Sequence, residues 1–194
     1  MKTRLLPFLL LLVPFFLGAQ SDEGRSNLTE DLVFTDTIIL LRNDLQKVIK
    51  LSENAGRVSV DTLGGSEYVN AFGDVKYLCV DSVLCRSVKV GGKWQEPSPL
   101  QGLEDLKATN PFMLQDGQTI YFSCVTSDSL DICVTRYSQE NRVYLKPEIL
   151  GFPYNSTSDD FLYCIDEQTG KGIFATSRDF ETNDTVSVYY FLKK

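Results

Sequence analysis

Between Asn110 and Phe191 the chain repeats one phrase: a glycine-containing turn, an aromatic-rich strand, a polar loop and a second strand. NPFMLQDGQTIYFSC (110–124) leads through a loop to DICVTRY (131–137). GIFATSR (172–178), entered from a turn at Thr169 and Gly170, leads to VSVYYF (186–191). The phrase also extends backwards. VKYLCV (75–80) lies over TIYFSC (119–124), Cys85 falls near Cys133, and Trp94, Pro97 and Leu100 lie over Tyr144, Pro147 and Leu150 at an offset of 50 residues. A chain that repeats hairpins at this period must stack them, because one hairpin cannot bury its own apolar face.

Short strands recur every 8–12 residues after Leu51, with few helix signals, so the expected class is all-β. VFTDTIILL (33–41) and VSVDTL (58–63) read as strands, and VKYLCV with VLCRSVKV (83–90) reads as a hairpin turning at Asp81 and Ser82. RNDLQKVIKL (42–51) fits either a short helix or an extended segment. A period near 50 with about four short strands per unit matches the blades of a β-propeller, here an array of about three four-stranded blades and possible incompleteness. The alternative is a β-sandwich whose hairpins resemble one another.

The N-terminus carries a different signal. Lys2 and Arg4 precede the apolar run LLPFLLLLVPFFL (5–17), with small residues before Gln20, the layout of a secretory signal peptide cut after Ala19. The run is short for a span and is broken by Pro7 and Pro14, so no stable membrane insertion is expected once the signal is removed. Residues 20–31 read as a polar lead-in, and 32–194 as the propeller-like β domain. Removing 1–19 leaves 17 basic against 26 acidic residues, a net charge of −9. That balance speaks against nucleic acid as a partner, since its binding rests on basic patches.

The chain has no histidine, which excludes Ser-His-Asp and Cys-His catalysis and the usual histidine-bearing metal sites. Its five cysteines show no C-x-x-C spacing, so no metal and no cofactor is expected. A hairpin turning at 81–83 sets Cys79 opposite Cys85, and one looping through 127–130 sets Cys124 opposite Cys133. Both are disulfide candidates; the other reading makes all of them small buried apolar side chains.

NPFMLQDGQTIYFSC, DICVTRY, KPEILGFPYNSTSDDFLYCID (146–166) and GIFATSR resemble the TolB-type, WD-like propeller repeats of exported envelope proteins in Gram-negative bacteria. The resemblance covers about residues 90–194. It rests on Asn110, Pro111, Phe112, Asp116, Gly117, Tyr121 and Phe122, then on Asp131, Ile132 and Arg136. It continues in Pro147, Glu148, Gly151, Asn155, Ser156, Asp160, Ser177 and Arg178. It implies a protein of the periplasm or outer membrane, not an enzyme, serving as a surface for an envelope protein or a glycan. A closed propeller needs about four blades, so the chain reads as a short form, a truncated reading frame, or a unit that self-associates through an open blade edge.

Propellers bind through loops at the channel and rims, which makes Tyr68, Asn70, Tyr154 and Asn155 the candidate binding residues. The competing functional reading is a carboxylate-dependent glycan-active enzyme built on Asp159-Asp160 or Asp166-Glu167. Adjacent strand residues point to opposite faces, so neither pair forms a dyad alone. A further pattern, Asp followed by Ser or Thr and an aliphatic residue, marks Thr37, Thr62, Ser82, Ser129 and Thr185. It is similar to the O-glycosylation acceptor of Gram-negative anaerobes, and it is also ordinary turn-then-strand grammar.

Overall fold

Runs of β-branched and aromatic residues punctuated by Gly, Asn and Asp leave the chain little choice but antiparallel pairing. The computed structural model describes residues 32–126, 129–182 and 184–193. The expected signal peptide and polar lead-in lie outside the described residues. The strands are β1 (Leu32–Leu41), β2 (Arg57–Val60), β3 (Ser66–Val69), β4 (Val75–Val80), β5 (Val83–Val90), β6 (Lys93–Trp94), β7 (Ser98–Pro99) and β8 (Ala108–Met113). Beyond them come β9 (Thr119–Val125), β10 (Leu130–Ser138), β11 (Val143–Tyr144), β12 (Glu148–Ile149), β13 (Asp160–Asp166), β14 (Lys171–Thr176) and β15 (Thr185–Lys193).

They form three antiparallel sheets, none closed on itself. The first runs β2-β3-β4-β5-β6, the second β11-β10-β9-β8 and the third β1-β15-β14-β13, while β7 and β12 pair with β5 and β10. The sheets thus hold six, five and four strands rather than four apiece. The surplus comes from β2 and from outer strands split in two at Pro97 and Pro147, where a ladder donor is missing.

The repeat is written into the hydrogen bonds. Lys89 faces Trp94 in the first sheet as Tyr137 faces Tyr144 in the second, and Cys85 faces Pro99 as Cys133 faces Ile149. Ser87 Oγ donates to Gln95 O at 2.6 Å, and Thr135 Oγ1 donates to Leu145 O at 2.6 Å. Leu100 and Leu150 tie the linkers back to Leu84 O and Ile132 O. The third sheet breaks this plan. Its outer strand is β1, which pairs along β15 from Leu32↔Lys193 to Leu41↔Thr185.

The second sheet lies between the other two. Tyr68 of β3 meets Phe112 of β8 edge-on at 4.9 Å, and Tyr121 of β9 stacks on Tyr163 of β13 at 4.1 Å. Every residue of β13 is buried, whereas β1 is largely exposed. Both β8 and β13 carry a bulge, at Asn110 (φ 52°) and Leu162 (φ 59°), where the register shifts. Asn suits that left-handed backbone, and Asn110 also donates from Nδ2 to Gly64 O at 2.8 Å, pinning the second sheet to a turn of the first.

Residues 42–56 cross from the third sheet to the first as irregular chain. A 3-10 helix at Arg42–Lys47 settles the ambiguous segment; its only buried residue is Leu45, and Leu41 makes no side-chain cap. Asn54 then reaches Gln168, and Gln115 donates its backbone N–H to Glu167 at 2.6 Å, so the ends of all three units meet.

Candidate functional site

An open depression lies along the seam of the first two sheets. Of about 780 Å³, it is lined by Tyr68, Asn70, Phe72, Tyr77, Arg86 and Gln115 among others. A second, of about 440 Å³, adjoins it through Tyr77, Arg86 and Gly117, and is closed by Gln101, Tyr137 and Tyr144. Together they make one groove with Arg86 at its middle.

Strand register explains the placement. Val58, Tyr68, Tyr77, Arg86 and Ser98 are successive cross-strand neighbours from β2 to β7, so their side chains share one face of the first sheet. The inner members of that row pack against β8. Toward β7 the sheets diverge, and Arg86 is left exposed at the mouth. On the opposite wall lies Gly117, which with Asp116 turns the chain between β8 and β9. Gly117 has φ 66°, and Asp116 Oδ1 accepts from the N–H groups of Gln118 and Thr119 at 2.8 Å each. Here the expected turn is found where the sequence put it.

The groove mixes apolar surface with neutral polar groups. Burial, reinforced by the nearby Tyr77, Glu167 and Cys164, pushes the Tyr68 phenol up to about 12. Burial also raises Tyr77, against the opposing pull of Arg86, and raises Tyr144, with Tyr77 adding to it. All three hydroxyls therefore remain protonated at neutral pH and leave the guanidinium charge in place. Among the described residues no carboxylate pairs with Arg86, whereas Arg42, Arg136 and Arg178 each have an aspartate. Glu53 is the one carboxylate in the lining.

Of the four candidate binding residues, the groove brings together Tyr68 and Asn70 only, and Tyr68 is itself buried, 3% exposed. Asn70 spends its side chain on its own turn, accepting from Asp74 and Val75 N–H groups at 3.1 Å. Tyr154 and Asn155 are not surface residues. Tyr154 is 3% exposed, wedged against Tyr163, Phe174 and Phe191. Asn155 holds Ile132 N–H, Ile132 O and Leu150 O with its amide, bracing the second sheet. The irregular 151–158 segment thus turns Tyr154 and Asn155 inward instead of presenting them at a rim.

The acid pairs are likewise engaged. Asp159 pairs with Arg42 at 3.3 Å, Asp160 with Arg178 at 2.7 Å, Asp166 caps its own turn at Gln168, and Glu167 accepts from Gln115. Arg136 lies 4.0 Å from Asp116.

The cysteines need two corrections, since neither expected pair is directly opposed. A two-residue turn at Asp81 and Ser82 sets Cys79 opposite Leu84 and Cys85 opposite Leu78, so that expected pair is not opposed and both thiols are free. Cys124 and Cys133 are diagonal neighbours, facing Asp131 and Phe122 respectively, and they are joined as a disulfide. Cys164 is free and buried. Of the O-glycosylation candidates, Thr37, Thr62 and Ser82 are exposed, and Ser129 and Thr185 are half-buried.

Sequence reasoning missed Arg86, Tyr77 and Tyr144. Aligning the units residue by residue supplies the signal, because Arg86 stands where the second unit has Val134. Among the described residues no helix is long and apolar enough to cross a membrane. No protein-family profile, curated protein or solved structure matches the chain.

Proposed function

We propose that this chain is an exported, non-enzymatic module of the cell envelope, built as TolB-type propeller-like blades, and that it presents a protein- or glycan-binding surface at the seam of its first two sheets. The observation that carries the reading is the groove itself. Phenols, side-chain amides and a guanidinium converge on a cleft whose aromatic rim residue, Phe72, is 89% exposed. Sites of that make-up bind ligands through a few placed polar groups on a stiff scaffold. The blade reading draws support from the matched ladders of β4–β7 and β9–β12, and from the way β1 completes the last sheet. Export draws on the N-terminal charge and apolar run alone.

The non-enzymatic reading rests on the missing histidine and on the commitment of Asp159 and Asp160 to arginines. Self-association belongs to the same proposal. Strand β1 is the outer strand of the third sheet and leaves Phe34, Ile39 and Leu41 exposed. A single monomeric peak across a hundred-fold range of concentration would remove that element. Modification at Thr37, Thr62 or Ser82 is tested by intact mass of native material; the unmodified mass removes it.

The deciding experiment is capture from an envelope extract with wild-type chain and with a double variant, Phe72→Ala with Gln101→Ala. Both positions are exposed, so folding is left intact. Retention of one species by wild type and its loss from the variant supports the groove. Equal retention by both proteins rules the groove out as the interaction surface.

A further inference from the structure

We infer, resting on the interaction reading above, that the groove takes an acidic glycan: a pyranose chain bearing a carboxylate that docks on Arg86. The first argument is positional. Across the second sheet the row equivalent to Tyr68–Tyr77–Arg86–Ser98 reads Phe112–Tyr121–Val134–Glu148. Packing at this position is therefore satisfied by valine, and the first unit carries a guanidinium there instead. A planar guanidinium presents paired N–H donors that match the two oxygens of a carboxylate.

The second argument is what surrounds it. Arg86 stands beside the protonated phenol of Tyr77, which in turn meets Tyr144, and among the described residues it forms no ion pair, with Glu53 the one acid in the lining. Flanking it are the exposed amides of Gln101, Gln115 and Gln168. Each amide offers a donor and an acceptor, the complement of a hydroxyl pair on a sugar ring. The bonds that Gln115 donates to Asn54 O and Gln168 accepts from Asn54 Nδ2, each 3.3 Å on the surface, are long and exchange readily with a ligand. Phe72 at one end and the half-buried Tyr137 at the other supply apolar ring faces for the C–H faces of pyranoses.

An extended peptide fits this place less well. Such peptides add to a free strand edge or fill apolar pockets. Tyr77 and Arg86 sit on strands paired on both sides, by β3 and β5 and by β4 and β7. The edge strands β7 and β11 reach the groove at Ser98, Pro99 and Tyr144, but at two residues each they offer too short a ladder to hold an added strand.

The test is calorimetric titration of the full chain with three uronate tetrasaccharides: galacturonate, mannuronate and one containing glucuronate. Their methyl-esterified forms and a sulfated neutral tetrasaccharide are run beside them. We expect at least one uronate to bind, its ester to bind about ten-fold or more weakly, and Arg86→Gln to weaken the acid form by a similar factor. Binding of the neutral ester should change less than three-fold in that variant, and Arg86→Lys should restore part of the loss. Unchanged circular dichroism shows that each variant remains folded.

Failure of all three uronates to bind overturns the inference, as does equal affinity for acid and ester or an Arg86→Gln titration matching wild type. Binding of the sulfated probe alone overturns the carboxylate in favour of sulfate. If these titrations fail while envelope capture still depends on Phe72 and Gln101, only the acidic ligand is lost. If capture fails too, the interaction reading falls with it.

Discussion

Arg178 donates from Nη2 to Asp160 Oδ1 at 2.7 Å, and Asp160 has no solvent exposure at all. The same guanidinium nitrogen reaches Pro153 O at 3.0 Å and Tyr154 O at 3.1 Å, while Asp160 Oδ2 also accepts from Ser156 N and Oγ. One ion pair therefore fastens the 151–158 loop to the inner strand of the third sheet. Removing a single partner strands a buried charge, which costs about 3–5 kcal/mol. Arg178→Met should lower the stability read from urea unfolding by that amount, and Arg178→Lys should recover only part, having lost the planar fork. A loss under about 1 kcal/mol would mean that Asp160 is hydrated and the fastening is not real.

Tyr154 and Phe72 provide a matched contrast between fold and surface. Tyr154 is 3% exposed among three aromatic rings, whereas Phe72 is 89% exposed. Tyr154→Ala opens a cavity and should destabilise by about 3–5 kcal/mol. Phe72→Ala should stay within about 0.5 kcal/mol. Thermal melts of the two variants check this, and similar melting temperatures would contradict the burial assignment.

The pattern of residues revealed the hairpins because their cause is local. Asp116-Gly117 makes its turn with its own carboxylate, and β4, β5, β9 and β10 alternate or run apolar within a few residues. What stayed hidden was set by pairing at long range. Nothing near Val33 announces that β1 will pair with β15, roughly 150 residues away. The site was hidden for the same reason. Tyr77, Arg86 and Tyr144 become neighbours only through register and sheet stacking, and a one-residue change of turn length would have sent Arg86 to the other face. That sensitivity also misplaced the Cys79–Cys85 pairing, where a two-residue turn was enough to set the two thiols out of step.

Thiol titration reads the cysteines directly. With Cys124 and Cys133 joined, denatured protein kept from reductant should show three free thiols, and five after reduction. Native protein should label slowly at pH 8. Burial, with Cys85 adjacent, pushes the Cys79 thiol up to about 12, and burial raises Cys85 and Cys164 as well. Little thiolate is then present to react. Five thiols before reduction would show that the 124–133 bond does not form.

Acid should weaken the fold through two turns. Burial pushes the Asp116 carboxyl up, but N–H donation from Thr119 and Gln118, the Thr119 hydroxyl and nearby Arg136 outweigh it and leave it below the ordinary range. Asp166 is lowered in the same way, burial being outweighed by Ser52, Gln168 and Thr169. A depressed folded value means the contribution is fully present above about pH 4 and is lost as pH falls through the lower native values. The unfolding midpoint in urea should drop below pH 4, and Asp116→Asn should flatten that limb. A limb of unchanged slope in the variant would show that this turn carries no acid sensitivity.

The alkaline limb has the opposite sign and reports on the groove. Tyr68 is raised to about 12 by burial first, and an unfolded tyrosine ionises near 10. A raised phenol contributes stability that is complete below about pH 10 and fades as pH climbs from there through its native value. Of the nine tyrosines, Tyr68, Tyr77 and Tyr144 should resist ionisation at pH 10.5 in the native state and titrate normally once the protein is unfolded in urea. Phenolate absorbance followed in both states measures the difference, and Tyr68→Phe should reduce it by one phenol. If all nine ionise together in the native protein, the Tyr68–Tyr77 row is open to water and the groove has no dry wall against which a ligand could be held.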